Sequence, residues 1–78
     1  MKEEEIIAAV YDAAVDHIYS VVPSKRVEDL DVSVALDDGE ITIDVQLVTD
    51  RGVDVDQKTA DEAVQVASEK ADALLGKR

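Results

Sequence analysis

The sequence predicts an α+β domain of two layers in the order α-β-β-α, an antiparallel β-hairpin with two helices packed on one face. Three observations predict it. Apolar residues recur at the helical period near the N-terminus and again near the C-terminus. Between them, two runs alternate apolar and polar residues about an Asp38-Gly39 step. The chain has 78 residues, which allows a single domain, residues 1–78. A domain this small buries only ~60% of the surface its unfolded chain exposes.

The first helix is read over Glu3 to Val22. Ile7, Val10, Tyr11, Ala14, Val15, Ile18, Val21 and Val22 fall on one broad face, with Glu5, Asp12, Asp16 and Ser20 opposite. Glu3, Glu4 and Glu5 occupy the first turn, where carboxylates favour the positive end of the helix dipole. Pro23 stops the helix and biases Val22 toward extended backbone. The polar connection from Pro23 to Asp29 holds the basic pair Lys25-Arg26, read as a solvated loop.

The segment "DLDVSVALDDGE", Asp29 to Glu40, places oxygens where a calcium loop has its positions 1, 3, 5 and 12. Position 6 of such a loop requires glycine for its sharp turn, and Val34 stands there. Counted by twos, the same residues make a strand: Leu30, Val32, Val34 and Leu36 alternate with polar or small residues. Ile41, Ile43, Val45 and Leu47 do so beyond the turn. Asp38-Gly39 suits a two-residue type I′ turn. The turn sets Asp37 opposite Glu40 and predicts the pairs Leu36–Ile41, Val34–Ile43, Val32–Val45 and Leu30–Leu47. A one-residue slip would put Leu36 opposite Glu40 and turn the apolar set outward.

Gly52 is the flexible point of the next connection. Asp54 or Asp56 is expected to cap the second helix, with Gln57 completing a capping box with Asp54. Val53 and Val55 could also form a short third strand. From about Gln57 to Leu75 the apolar set is Ala60, Ala63, Val64, Ala67, Ala71, Leu74 and Leu75. Alanine permits close backbone approach, so this helix is expected to nestle against the sheet or the first helix. Gly76 is the expected C′ residue, and Lys77 and Arg78 favour the negative end of the helix. Either edge of the hairpin is open to pairing. The charged flanks Asp31 and Asp44 weigh against self-pairing, and a monomer is expected over a homodimer.

The chemistry is sparse. There is no cysteine, and His17 is the single histidine, so thiolate sites, thiol nucleophiles and histidine clusters are excluded within one chain. His17 is expected to be partly buried or exposed on the flank of the first helix. Tyr11 is expected in the core, and Tyr19 off it. No phosphate-binding glycine loop or serine-nucleophile motif is present. No apolar run approaches the ~20 residues a membrane span needs. The acidic start "MKEEE" resembles neither a signal nor a transit peptide, and a cytoplasmic protein is expected.

Nineteen acidic and eight basic residues give a net charge of -11. Residues 30–50 hold six acids and no base. Such a field repels phosphate backbones and attracts cations or basic surfaces. No direct nucleic-acid contact and no membrane are expected. Asp31, Asp37, Asp38, Glu40 and Asp44 are the candidate contacts for a protein partner with a basic surface. No catalytic residue, metal site or cofactor is expected. Alternatives are a weak divalent-cation site using the same carboxylates, or a subunit of a small enzyme completed by a partner.

The runs "VEDLDVSVALDDGEITIDVQL" and "VDVDQKTADEAVQVASEKADALL" resemble a small archaeal family of uncharacterised proteins. Its members share an N-terminal helix, a "DLD-V-V" strand, a second alternating strand and a C-terminal "D…A-EA…A" helix. The resemblance implies an archaeal cytoplasmic α+β protein without assigned enzymatic activity. It also implies a gene typically placed beside the prefoldin beta subunit, in the cluster of exosome and ribosomal genes. An accessory role in RNA processing or protein folding would follow from that setting. An archaeal tRNA-modification accessory subunit is similar in shape. The alkaline-shock family matches Gly52 and Val64-Gln65 only loosely.

Overall fold

The computed structural model describes residues 2–76. The elements are α1 (Glu3–Val21), a short 3-10 turn (Ser24–Arg26), β1 (Val27–Asp37), β2 (Glu40–Thr49) and α2 (Val53–Leu75). The order is the expected α-β-β-α, and both helices pack on the apolar face of the hairpin. Helix α1 stops where Val22 turns extended (φ -120°, ψ 124°) before Pro23. Gly76 ends α2 in the left-handed conformation, φ 74°. The placement expected for Lys77 and Arg78 lies outside the described residues.

The hairpin register is the one the alternation demands. Leu36 pairs with Ile41, Val34 with Ile43, Val32 with Val45 and Leu30 with Leu47, closed by Asp37 opposite Glu40. The turn residues both take positive φ, 52° at Asp38 and 77° at Gly39, the signature of a type I′ connection. The strands run beyond the alternating pattern at their open end, to Val27 on β1 and Thr49 on β2. A register shift between Val27 and Asp29 absorbs the extra residue Glu28.

Three expectations need correction. Helix α2 begins at Val53, not near Gln57, so Val53 and Val55 lie in its first turn and form no third strand. Neither Asp54 nor Asp56 caps it. Gly52 is the cap residue with no side-chain bond, and Gln57 Nε2 donates to Asp61 Oδ1 at 2.9 Å instead of closing a capping box. Tyr11 is 43% exposed and not core.

The fate of Tyr11 follows from dimensions. Two helices side by side span ~20 Å, each ~10 Å across with its side chains. Two strands ~4.8 Å apart cover about half that width. Only the seam between the helices and the sheet's midline is sealed, and the outer flank of each helix overhangs a sheet edge. The fully sealed line on α1 is Ile6, Val10, Ala14 and Ile18, followed by Val22 just beyond its end. These repeat every four residues, the ridge that helices interdigitate along. Across the seam α2 contributes Ala63, Ala67 and Ala71, while Ala60, also buried, lines the side facing β2. Ile7 and Val15 are half-buried and Val21 exposed, because they sit on the overhanging side of the apolar stripe.

Ile18 is fully buried in this seam. A domain of this length has only about 4–12 kcal/mol of stability. Ile18→Ala should remove about 2–5 kcal/mol and Ile18→Val about 1 kcal/mol, as read by urea midpoints at constant m-value. Gly52, at φ 105° and ψ 156°, occupies backbone that L-residues avoid, while a Cβ there would meet no atom. Gly52→Ala should therefore cost about 1–3 kcal/mol from backbone strain alone. An unchanged midpoint would refute that account.

Candidate functional site

With one face of the hairpin under the helices, its other face is open. Strand alternation puts Asp29, Asp31, Ser33, Ala35 and Asp37 of β1 on that face. Beside them on β2 lie Val48, Gln46, Asp44, Thr42 and Glu40, in that pairing order. All ten are exposed. Five carry carboxylates and none carries a base. Asp31, Asp37, Glu40 and Asp44 are thus brought together as the sequence predicts, and Asp29 joins them. Asp38 stands apart at the tip of the turn.

Asp31 lies opposite Gln46 and Asp44 opposite Ser33. The two carboxylates are therefore diagonal neighbours, ~7–8 Å apart between their backbones. Among the described residues, none of these acids forms an ion pair or a side-chain hydrogen bond. An exposed pair, Arg26 with Asp50 at 3.1 Å, stands beyond the open end of the hairpin. No group of three or more metal-ligating side chains gathers anywhere among the described residues.

Two clefts follow the sheet edges. One of about 530 Å³ lies under the overhang of α1, between Ile7, Ala8 and Tyr11 of the helix and Val32 and Val34 of β1. The other, about 370 Å³, lies between β2 and the start of α2, with Leu47, Thr49, Gly52, Asp56, Gln57 and Ala60 among its walls.

The second cleft ends on a polar joint that sequence reasoning missed. Asp56 is buried at 4% exposure. Its carboxylate accepts from the Thr49 backbone N–H at 2.8 Å and from Thr49 Oγ1 at 2.6 Å. Arg51 donates from Nε to Thr49 Oγ1 (3.3 Å) and from Nη2 to Thr59 Oγ1 (3.2 Å). A longer contact runs from Nη2 to Asp56 Oδ1 (3.5 Å). Thr59 Oγ1 donates in turn to the Val55 carbonyl at 3.0 Å. The Thr49 hydroxyl, more than any other cause, holds the Asp56 carboxyl below its ordinary range. The Thr49 backbone bond and the Arg51 charge assist, while burial opposes. The only sequence signal was an Asp near a helix start, which fits a cap equally well; the partner seven residues back is not readable from spacing.

His17 is half-buried, with Nε2 3.7 Å from Glu62 Oε1 and without a hydrogen bond. Tyr19 is exposed, as expected. No helix among the described residues is long and apolar enough to cross a membrane.

These features define a class of small α+β protein: two helices seamed by alanine over one face of a hairpin whose other face is bare. The chain belongs to the family described as "Protein of unknown function (DUF3194)", whose model matches residues 2–74. It is 62% identical over 77 residues to an uncharacterized protein of Methanocella arvoryzae, covering 99% of this chain and 98% of that one. Its fold is similar to the solution structure of the hypothetical protein mth677 from Methanothermobacter thermautotrophicus. There the TM-score is 0.74 at 27% identity, with 97% of this chain and 90% of the other covered. The archaeal relationship implied by the strand and helix motifs is therefore supported by two archaeal relatives.

The lowered Asp56 value has a testable consequence. A carboxyl depressed in the folded state adds stability above its unfolded pKa of ~4, and that stability is lost as pH falls through the folded value. Asp56→Asn should therefore lie below the wild type in urea midpoint at neutral pH, with the gap narrowing as pH drops below about 4. A gap independent of pH would assign the loss to packing alone.

Proposed function

We propose that the chain is a non-enzymatic protein-interaction module that docks a basic partner on the outer face of its hairpin. The observation that carries this reading is the bare face itself: Asp29, Asp31, Asp37, Glu40 and Asp44 in one plane, without a compensating base. Carboxylates so exposed contribute little to folding, and like charges side by side on a sheet are mildly destabilising. A partner bearing lysine and arginine would relieve that repulsion and be drawn in by the field. The partner is a protein, because phosphate backbones would be repelled. The chain acts as a monomer in this reading, in the cytoplasm.

The gene setting that the family resemblance implies would make the partner a component of archaeal RNA processing, such as the exosome, or of protein folding, such as prefoldin. A divalent-cation role on the same carboxylates is the weaker reading, since the outward acids meet only in pairs, Asp37 opposite Glu40 and Asp31 diagonal to Asp44, and no group of three ligands gathers among the described residues. A subunit of an enzyme completed by a partner would need a residue poised for chemistry, and no described side chain of the face is so placed.

The test is affinity capture at low salt from an archaeal lysate, with the Asp31→Asn, Asp44→Asn double variant as control. The wild type should retain a basic protein that the variant loses. The association rate should fall about tenfold or more between low and physiological salt. Equal retention by the double variant would overturn the assignment of this face.

A further inference from the structure

The outer face has a neighbour that the docking reading leaves unused: the free edge of β1. In an antiparallel pair, directly opposed residues alternate between exchanging both backbone bonds and exchanging none. A two-residue turn makes its flanking pair, here Asp37 and Glu40, a bonded one. The bonded pairs are then Ala35–Thr42, Ser33–Asp44 and Asp31–Gln46. Leu30, Val32, Val34 and Leu36, whose side chains face the helices, send their N–H and C=O groups outward from β1. Among the described residues, the backbone bonds outside the regular elements occur at the helix starts, at the end of α1 and in the Pro23–Arg26 turn, and none reaches this edge.

The cleft beneath α1 lies along the same edge. It is about 530 Å³ in volume, and its walls are Glu4, Ile7, Ala8 and Tyr11 above and Val32, Ser33 and Val34 beside. Helix α1 overhangs the sheet by about the width of one strand. A strand added to β1 would therefore have both a ladder to bond and an apolar roof to fill. The matching cleft along β2 is smaller and closes on Thr49, Asp56 and Gln57, so it offers polar groups to apolar side chains.

We infer that β1 accepts an extended segment of a basic partner protein as a third strand, apolar side chains under α1 and basic ones on the acidic face. The inference rests on the docking reading and names its mode, β-strand addition. The edge and the cleft carry it, and the charge selects the occupant. Side chains of an added strand that point outward lie ~5 Å from those of Asp29, Asp31 and Asp37, so lysine or arginine at alternate positions completes the pairing. A second copy of this chain would bring Asp29, Asp31 and Asp37 against their own kind. Its net charge of -11 adds to that repulsion.

The test uses the full chain labelled with ¹⁵N and two peptides of identical composition, each about seven residues long, a typical strand. One alternates lysine and valine; the other has its lysines and valines in separate blocks. Amide exchange is read at Val32 and Val34, which point out, and at Ser33 and Ala35, which are already in the ladder. The alternating peptide should slow exchange about tenfold or more at Val32 and Val34 while Ser33 and Ala35 change little. Ala8→Lys, an exposed helix position in the cleft roof, should abolish the effect without lowering the urea midpoint. The Asp31→Asn, Asp44→Asn variant should weaken binding of both peptides.

If both peptides bind alike, sensitive to the double variant but with no protection at Val32 and Val34, edge addition is overturned and docking on the face stands. If neither peptide binds at low salt, both readings fall. Protection that arises without peptide and grows with protein concentration would assign the edge to a second copy and overturn the inference.

Discussion

The fold depends on how closely its two helices approach. Three alanines on α2, at 63, 67 and 71, leave no side chain to hold α1 away. Val10 and Ile18 can then fill the seam completely, and Val22 closes its far end. Branched residues on one helix set against small ones on the other give dense packing from little volume, which matters in a chain with no disulfide to supplement its core. The same closeness fixes the pair of helices as a platform wider than the sheet beneath. The half-burial of the strands' inner residues, the exposure of Tyr11 and the cleft along β1 all descend from that mismatch.

The second constraint is the joint between β2 and α2. A three-residue connection, Asp50 to Gly52, must reverse the chain from sheet to helix. Gly52 supplies the backbone conformation, and Asp56 reaches back to the end of β2 to lock it. Burying a carboxylate is costly unless its oxygens are satisfied. Here both are, by the backbone and hydroxyl of a single threonine, with Arg51 alongside. The group therefore ties two elements together in one geometry, which an apolar contact of similar size would not specify as tightly.

Most of the fold was legible because its signals are local. The Asp38-Gly39 turn fixes register across the whole hairpin, and one register satisfies every inner pair, so no distant information was needed. Pro23 and Gly76 mark helix ends for equally local reasons. What escaped was whatever depends on partners far along the chain. The start of α2 was misplaced because valine at 53 and 55 reads as strand, while Gly52 and the Thr49–Asp56 bonds make it helix. Tyr11 lies on the apolar stripe by periodicity, yet how much of a stripe is covered depends on sheet width, which no single helix encodes. Of the five acids named as contacts, the alternation places Asp31, Asp37, Glu40 and Asp44 on one side, whereas Asp38 stands apart at the tip of the turn. Asp29 was not foreseen, because the strand extends past the patterned residues.

The alternation along the hairpin also separates two kinds of inheritance. Inward positions answer to the helices and outward ones to solvent, so a substitution at Ser33 or Thr42 is invisible to the seam between α1 and α2. Sequence drift can therefore rewrite one face while leaving the other intact. The architecture is shared with mth677 at 27% identity, so the fold tolerates extensive change of sequence. The outer face can therefore change its chemistry without the fold having to be reinvented.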